Sequence, residues 1–205
     1  MLQFITHPNK KYSIVEEAKM AIDGGCKWIQ IRMKQATDDE ISEITNELIP
    51  LCKEKGVILI LNDRVELCKI LGVHGVHIGK NDMNPIQARD FLGAEAIIGV
   101  TANTAEDIIA LKGIDVDYVG LGPFRHTNTK ENLSPIIGLE GYKEIITKVR
   151  NAGINLPIVA IGGITIDDVE DIIKCGVNGI AMSGSIINSE NPIQYTTEIL
   201  KKLYK

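Results

Sequence analysis

Eight times along 205 residues a short run of β-branched and aliphatic side chains gives way to a longer segment with helical spacing. That alternation leaves few folds open. The runs are Leu2–Thr6, Trp28–Met33, Val57–Asn62, Gly75–Gly79, Ala96–Ala102, Tyr118–Phe124, Pro157–Gly163 and Gly179–Ile186. Short apolar runs bounded by turn residues read as strands buried on both faces, as parallel sheets require. Between them, stripes such as Ile41, Ile44, Leu48, Leu51 and Cys52, or Ile193, Thr196, Ile199, Leu200 and Leu203, read as amphipathic helices. Eight strands and eight helices are the count of an α/β fold, a single (β/α)8 TIM barrel spanning residues 1–205. The competing arrangement is an open doubly wound sheet, which uses fewer strands and a glycine-rich first turn that this chain lacks.

Local chemistry sets the same boundaries independently. Ser13-x-x-Glu16, Thr37-x-x-Glu40, Thr104-x-x-Asp107 and Thr165-x-x-Asp168 have the form of capping boxes. Gly25, Gly56, Gly72, Gly93, Gly113, Gly153 and Gly176 stand where helices should end, each shortly before the next strand. The segments GCKWIQIRM, GVHGVHIGK, GIDVDYVGLG and GVNGIAMSG lead into strands two, four, six and eight, a faint repeat that suits pseudo-fourfold construction.

The net charge of −5 is spread with acids and bases interspersed, so no nucleic-acid surface is expected and an anionic ligand needs a local cationic site. The cysteines Cys26, Cys52, Cys68 and Cys175 form no Cys-x-x-Cys pair and read as buried thiols of a reducing compartment. No run approaches the ~18 apolar residues of a membrane span, and the polar residues of MLQFITHPNKK come too early for a signal peptide. A cytoplasmic protein without membrane partners is expected.

In a barrel, chemistry sits at the carboxyl ends of the strands. Strand two ends in Gln30, Arg32 and Lys34, which alternation puts on one face. Two cations there call for an anionic ligand, or else Arg32 pairs with an acid and Lys34 is solvated. Asn62-Asp63 and, after strand four, Asp82 bring carboxylates from adjacent strand ends, enough for one Mg²⁺ when phosphates supply further oxygens. A helix-capping role is the alternative for either aspartate, Asp63 above all. Thr101 offers a hydroxyl, while Gly162-Gly163 and Ser183-Gly184 let backbone amides approach a phosphate. The stretch Tyr118 to Lys130, YVGLGPFRHTNTK, runs from a strand into a polar loop in which Thr127, Thr129 and Lys130 suit phosphate oxygens. His77 reads as a hydrogen-bonded core residue, His7 as an exposed loop residue, and His126 as the histidine to test for proton transfer.

Taken in order, Gln-x-Arg-x-Lys, Asn-Asp, His-x-Gly-x-x-Asp, Gly-Val-Thr-Ala, Tyr-Val-Gly-x-Gly-Pro, Thr-x-Thr-Lys and Ile-Gly-Gly-Ile resemble the thiamine-phosphate synthase family across nearly the whole chain. The resemblance implies a barrel that joins a pyrimidine methyl diphosphate to a thiazole phosphate, releasing pyrophosphate and using one Mg²⁺ per subunit. It assigns Gln30, Ile31, Arg32, Met33, Lys34, Asn62, Thr101 and Lys130 to the pyrimidine diphosphate, with Arg32, Lys34, Thr101 and Lys130 as the catalytic set. It assigns Thr127, Asn128, Thr129, Gly163, Ser183 and Gly184 to the thiazole phosphate, and Asp63 and Asp82 to the metal. The partners implied are these two small molecules, with self-association left open. Three positions depart from the family pattern: Thr101 for a common serine, Lys80 for a common glutamine where it can compete for Asp82, and Phe124-Arg125-His126, which can alter closure of a lid over residues 126–137. A thiazole tautomerase using His126, and a catalytically silent phosphate-binding barrel, are the alternative functions.

Overall fold

Closure of the sheet falls to the first and last strands, where Leu2 pairs with Ile180, Gln3 with Ala181 and Phe4 with Met182 in parallel register. The computed structural model describes residues 1–126 and 135–204. Within them the strands β1 (Leu2–Ile5), β2 (Trp28–Ile31), β3 (Ile58–Asn62), β4 (Gly75–Ile78), β5 (Ile97–Ala102), β6 (Tyr118–Leu121), β7 (Ile158–Ile161) and β8 (Gly179–Met182) pair in chain order as a closed barrel. The helices around it are α1 (Ile14–Asp23), α2 (Asp38–Lys55), α3 (Val65–Leu71), α4 (Pro85–Leu92), α5 (Ala105–Ile109), α6 (Gly138–Asn151), α7 (Val169–Lys174), α8 (Gly184–Ile187) and α9 (Pro192–Leu203). The barrel excludes the open sheet.

Strand alternation produces two cores. Phe4, Ile29, Ile31, Leu59, Leu61, Val76, Ile98, Val119 and Leu121 point outward and pack under the helices. Ile5, Trp28, Ile60, Tyr118, Val159 and Ala181 point inward and fill the barrel. Of the two stripes singled out above, Ile41, Leu48, Cys52, Thr196 and Ile199 are buried, while Ile193 stays 39% exposed.

All four capping boxes form; that of Thr165 opens a 3₁₀ turn, Ile166–Asp168, leading into α7. The seven helix-ending glycines take positive φ, between 59° and 96°. The last strand is shorter than expected: after Met182 the chain turns at Ser183 into α8, and Ile186 is buried as a helical residue. That short helix makes nine among the described residues, where eight were expected. The four cysteines are buried and unpaired. No helix among the described residues is long and apolar enough to cross a membrane.

Candidate active site

At the carboxyl ends of the strands lies a cleft of about 840 Å³, continuous with a smaller cavity of about 240 Å³. Gln30, Arg32, Met33, Lys34, Asn62, Asp63 and Thr101 line the larger space. Gly163, Ser183 and Gly184 line the smaller, and Arg32 borders both. Ile31 is the exception within β2, since alternation turns its side chain into the outer core rather than the cleft. Thr127, Asn128, Thr129 and Lys130 lie outside the described residues, as does most of the expected lid.

Asp63 lines the cleft, and its acidic partner Asp82 stands behind it, outside the lining. Asp63 is not a helix cap: α3 starts at Val65, its cap position is Arg64, and no side chain caps it. Instead the Asp63 carboxyl, 10% exposed, meets Lys34 Nζ at 3.3 Å and shares a hydrogen bond with Asp82. Burial, reinforced by that bond and the Asp82 charge, pushes the Asp63 acid up to about 6 against the pull of Lys34. Burial also acts to raise Asp82, but it is outweighed by the bond from Asp63 and the Gly79 amide donating at 2.7 Å, so Asp82 sits below the ordinary range. Asp63 is also the one non-glycine residue at positive φ, 63°, among those described. Its N–H donates to the His77 carbonyl at 2.9 Å, pinning this turn between β3 and β4. Such strain persists where neighbours over-determine it, and that is common at functional sites.

Arg32 reaches the cleft floor with its backbone N–H donating to Thr6 Oγ1 at 2.9 Å. Burial lowers its pKa, and the nearby Asp63 charge counters that effect. An arginine taken partly from water beside one acid still has donor capacity for an anion.

Of the departures from the family pattern, Lys80 resolves differently from expectation and Arg125 gains a defined partner. Lys80 does not compete for Asp82; its ammonium pairs with Asp107 Oδ2 at 2.6 Å, at the head of α5. Arg125 forms a two-pronged pair with Asp168, 2.8 Å at each nitrogen, and donates to the Gly163 carbonyl at 2.9 Å, so it ties the exit of β6 to the exit of β7. His77 is a hydrogen-bonded core residue, as read. His7 is not simply exposed: it borders both cavities, its backbone N–H donates to Glu17 Oε2 at 2.8 Å, and its Nδ1 is buried without a partner among the described residues. Burial and Arg32 lower its basicity, which favours neutral imidazole. Its only signal in the sequence is its place at the end of strand one.

The family model described as thiamine monophosphate synthase matches residues 2–186. The chain belongs to the thiamine-phosphate synthase family. Among curated members, the thiamine-phosphate synthase of Bacteroides fragilis is 53% identical over 97% of this chain and 98% of its own length. That of Bacteroides thetaiotaomicron is 54% identical over 97% of this chain and 95% of its own. The solved thiamine phosphate pyrophosphorylase from Pyrococcus furiosus superposes with a TM-score of 0.86 at 30% identity, covering 99% of this chain and 95% of that one. Family membership and barrel closure thus agree with the order of the motifs along the strands.

Proposed function

We propose that the cleft joins 4-amino-2-methyl-5-(diphosphomethyl)pyrimidine to thiazole phosphate, giving thiamine monophosphate and pyrophosphate, with one Mg²⁺ beside Asp63 and Asp82. As a family member the chain is a transferase of thiamine biosynthesis. The observation that carries the siting is the convergence of Arg32, Lys34, Asp63 and Thr101 in one cleft continuous with a glycine- and serine-lined cavity.

The fit to a metal rests on the acidic pair. Among the described residues no three His, Cys, Asp or Glu side chains gather into a metal cage. Two carboxylates crowded enough to share a proton are, however, the usual protein share of a Mg²⁺ site whose other oxygens come from phosphates and water. When bound, the ion would neutralise charge gathering on the diphosphate.

The bond from the methylene carbon to the diphosphate oxygen breaks, and its electron pair leaves with pyrophosphate. The aminopyrimidine ring spreads the resulting positive charge, and the thiazole nitrogen lone pair forms the new C–N bond. No protein nucleophile is needed. Arg32, Lys34 and, by family resemblance, Lys130 hold the departing anion, with Thr101 beside them and Gln30, Met33 and Asn62 around the pyrimidine. Gly163, Ser183 and Gly184 hold the thiazole phosphate, joined by Thr127, Asn128 and Thr129 from the family motif. The buried Ser183 hydroxyl, which has no partner among the described residues, supports a phosphate at that end. Holding the two substrates at a fixed separation supplies much of the remaining rate. The partners needed are these two small molecules, and a cytoplasmic setting accords with four unpaired, buried cysteines.

The test is formation of thiamine monophosphate and pyrophosphate from the two substrates, with and without Mg²⁺, by the wild type and Asp63→Ala. Metal-dependent product that collapses in the variant supports the reading. Full activity in Asp63→Ala, or isomerisation of the thiazole phosphate without product, defeats it.

A further inference from the structure

Along the cleft floor a chain of polar side chains crosses the barrel interior, one from each of five strands. Gln30 Nε2 lies 3.4 Å from Gln3 Oε1, and Gln3 Nε2 donates to the Tyr118 hydroxyl at 3.0 Å. That hydroxyl is 2.9 Å from His77 Nδ1, and His77 Nε2 is 2.9 Å from Thr101 Oγ1. Space has been cleared for it: a Cβ on Gly99 would stand 2.1 Å from the Tyr118 ring, and one on Gly120 would stand 2.9 Å from His77 Cε1. Gln3, Gln30 and Tyr118 are each no more than 3% exposed, so their polar atoms depend on one another. Gln3, Gln30, His77 and Thr101 all border the cleft, Tyr118 lies beneath them, and the chain ends at Gln30 on one side and Thr101 on the other.

We propose that Gln3, Tyr118 and His77 are positioning residues whose chain fixes Gln30 as an acceptor and Thr101 as a donor toward the substrate, selecting an aminopyrimidine over an oxopyrimidine. This rests on the assignment of Gln30 and Thr101 to the pyrimidine diphosphate. The direction follows from counting hydrogens. The Tyr118 phenol is held protonated by burial and carries one hydrogen. Since it accepts from Gln3 Nε2 and has no third hydrogen-bond partner among the described residues, its hydrogen goes to His77 Nδ1. A neutral His77 accepting at Nδ1 carries its own hydrogen on Nε2 and donates it to Thr101 Oγ1. The Thr101 hydroxyl hydrogen is thereby released to the cleft, where a ring nitrogen or a diphosphate oxygen can accept it.

At the other end Gln3 Oε1 takes the hydrogen of Gln30 Nε2, which turns Gln30 Oε1 to the substrate. A 4-amino group brings a donor to that oxygen. A 4-oxo analogue brings a second acceptor, and a polar site left unpaired discriminates strongly. Reversing the Gln30 amide would require reversing every link of the chain.

Two measurements test this on the full chain. Long-range ¹⁵N–¹H NMR of His77 in the wild type should show the Nε2–H tautomer; an Nδ1–H tautomer or an imidazolium overturns the proposal. Next, kcat/KM for the 4-amino and 4-oxo pyrimidine diphosphates is compared between wild type, Tyr118→Phe and Gln3→Met, so that intrinsic substrate reactivity cancels. The amino preference should fall by on the order of tenfold in each variant, through KM for the pyrimidine and with KM for thiazole phosphate unchanged. An undiminished preference in either folded variant overturns the proposal, and Gln3→Met cuts a different link should Tyr118→Phe fail to fold. Turnover of neither pyrimidine by the wild type would overturn the site reading and the selection with it, while the tautomer result separates that failure from failure of the chain itself.

Discussion

The Lys34 ammonium lies 3.3 Å from the Asp63 carboxylate, so the cation that would meet a diphosphate also favours the ionised form of the residue that would meet Mg²⁺. Removing it should move Asp63 upward from its value of about 6. In Lys34→Ala a ¹³C titration of the Asp63 carboxyl should show protonation at higher pH than in wild type, and kcat should fall by on the order of a hundredfold. An unmoved carboxyl titration would separate the two residues.

Asp63 itself should display a conflict between stability and activity. Its φ of 63° costs on the order of 1–2 kcal/mol for a residue with a Cβ. Asp63→Gly removes that strain together with a buried acid, against a smaller gain in unfolded-chain entropy. Stability should therefore rise by about 1 kcal/mol, seen as a Tm higher by roughly 2–4 °C, while product formation is lost. A lower Tm would mean that the turn is held by the carboxyl rather than strained around it.

A pH effect on stability should come from Glu17, which is fully buried in α1 beneath the loop after β1. Burial pushes its acid up to about 7, against hydrogen bonds from the His7 N–H and the Asn9 side chain. The folded state then binds more protons than the unfolded state between the ordinary glutamate value and about 7. Stability must fall as pH rises through that window, by on the order of 3 kcal/mol, and change no further from this group above it. Urea titrations of wild type and Glu17→Gln across the window should differ in slope, the variant being flatter. Parallel curves would rule the buried acid out.

Arg125 and Asp168 should act on substrate binding more than on folding. Their pair is half open to solvent on the arginine side, 49% exposed, so Arg125→Ala should cost at most about 1 kcal/mol of stability. The variant also releases the Gly163 carbonyl. KM for thiazole phosphate should rise severalfold with kcat little changed, and Arg125→Lys, which cannot reproduce the planar fork, should recover only part of it. Unchanged steady-state constants would confine the pair to the surface.

What the sequence disclosed and what it withheld divide along the range of the interactions involved. The capping boxes of Ser13, Thr37, Thr104 and Thr165 span four residues each and could be read directly. Strand order followed from alternation, and Arg32, Lys34, Asn62, Asp63 and Thr101 met at one cleft because strand ends share a face. Lys80 was misread because its partner Asp107 comes from the following strand-helix unit, beyond any local pattern. Ile186 was misread because a helix of one turn is too short to show a period. The bond between Gln3 and Tyr118, 115 residues apart, is not legible in the sequence because two polar residues in separate apolar strands have no shared signature until the barrel closes around them.

The vacated positions on β5 and β6 carry a consequence for anyone redesigning this barrel. Gly99 and Tyr118 compete for the same volume, as do Gly120 and His77, so neither glycine can accept a side chain while its neighbour keeps its ring. Mutational libraries that vary one strand at a time will record both glycines as intolerant. Only paired exchanges, a smaller residue at 118 with a larger one at 99 or the same trade between 77 and 120, could reopen the interior to a differently shaped substrate.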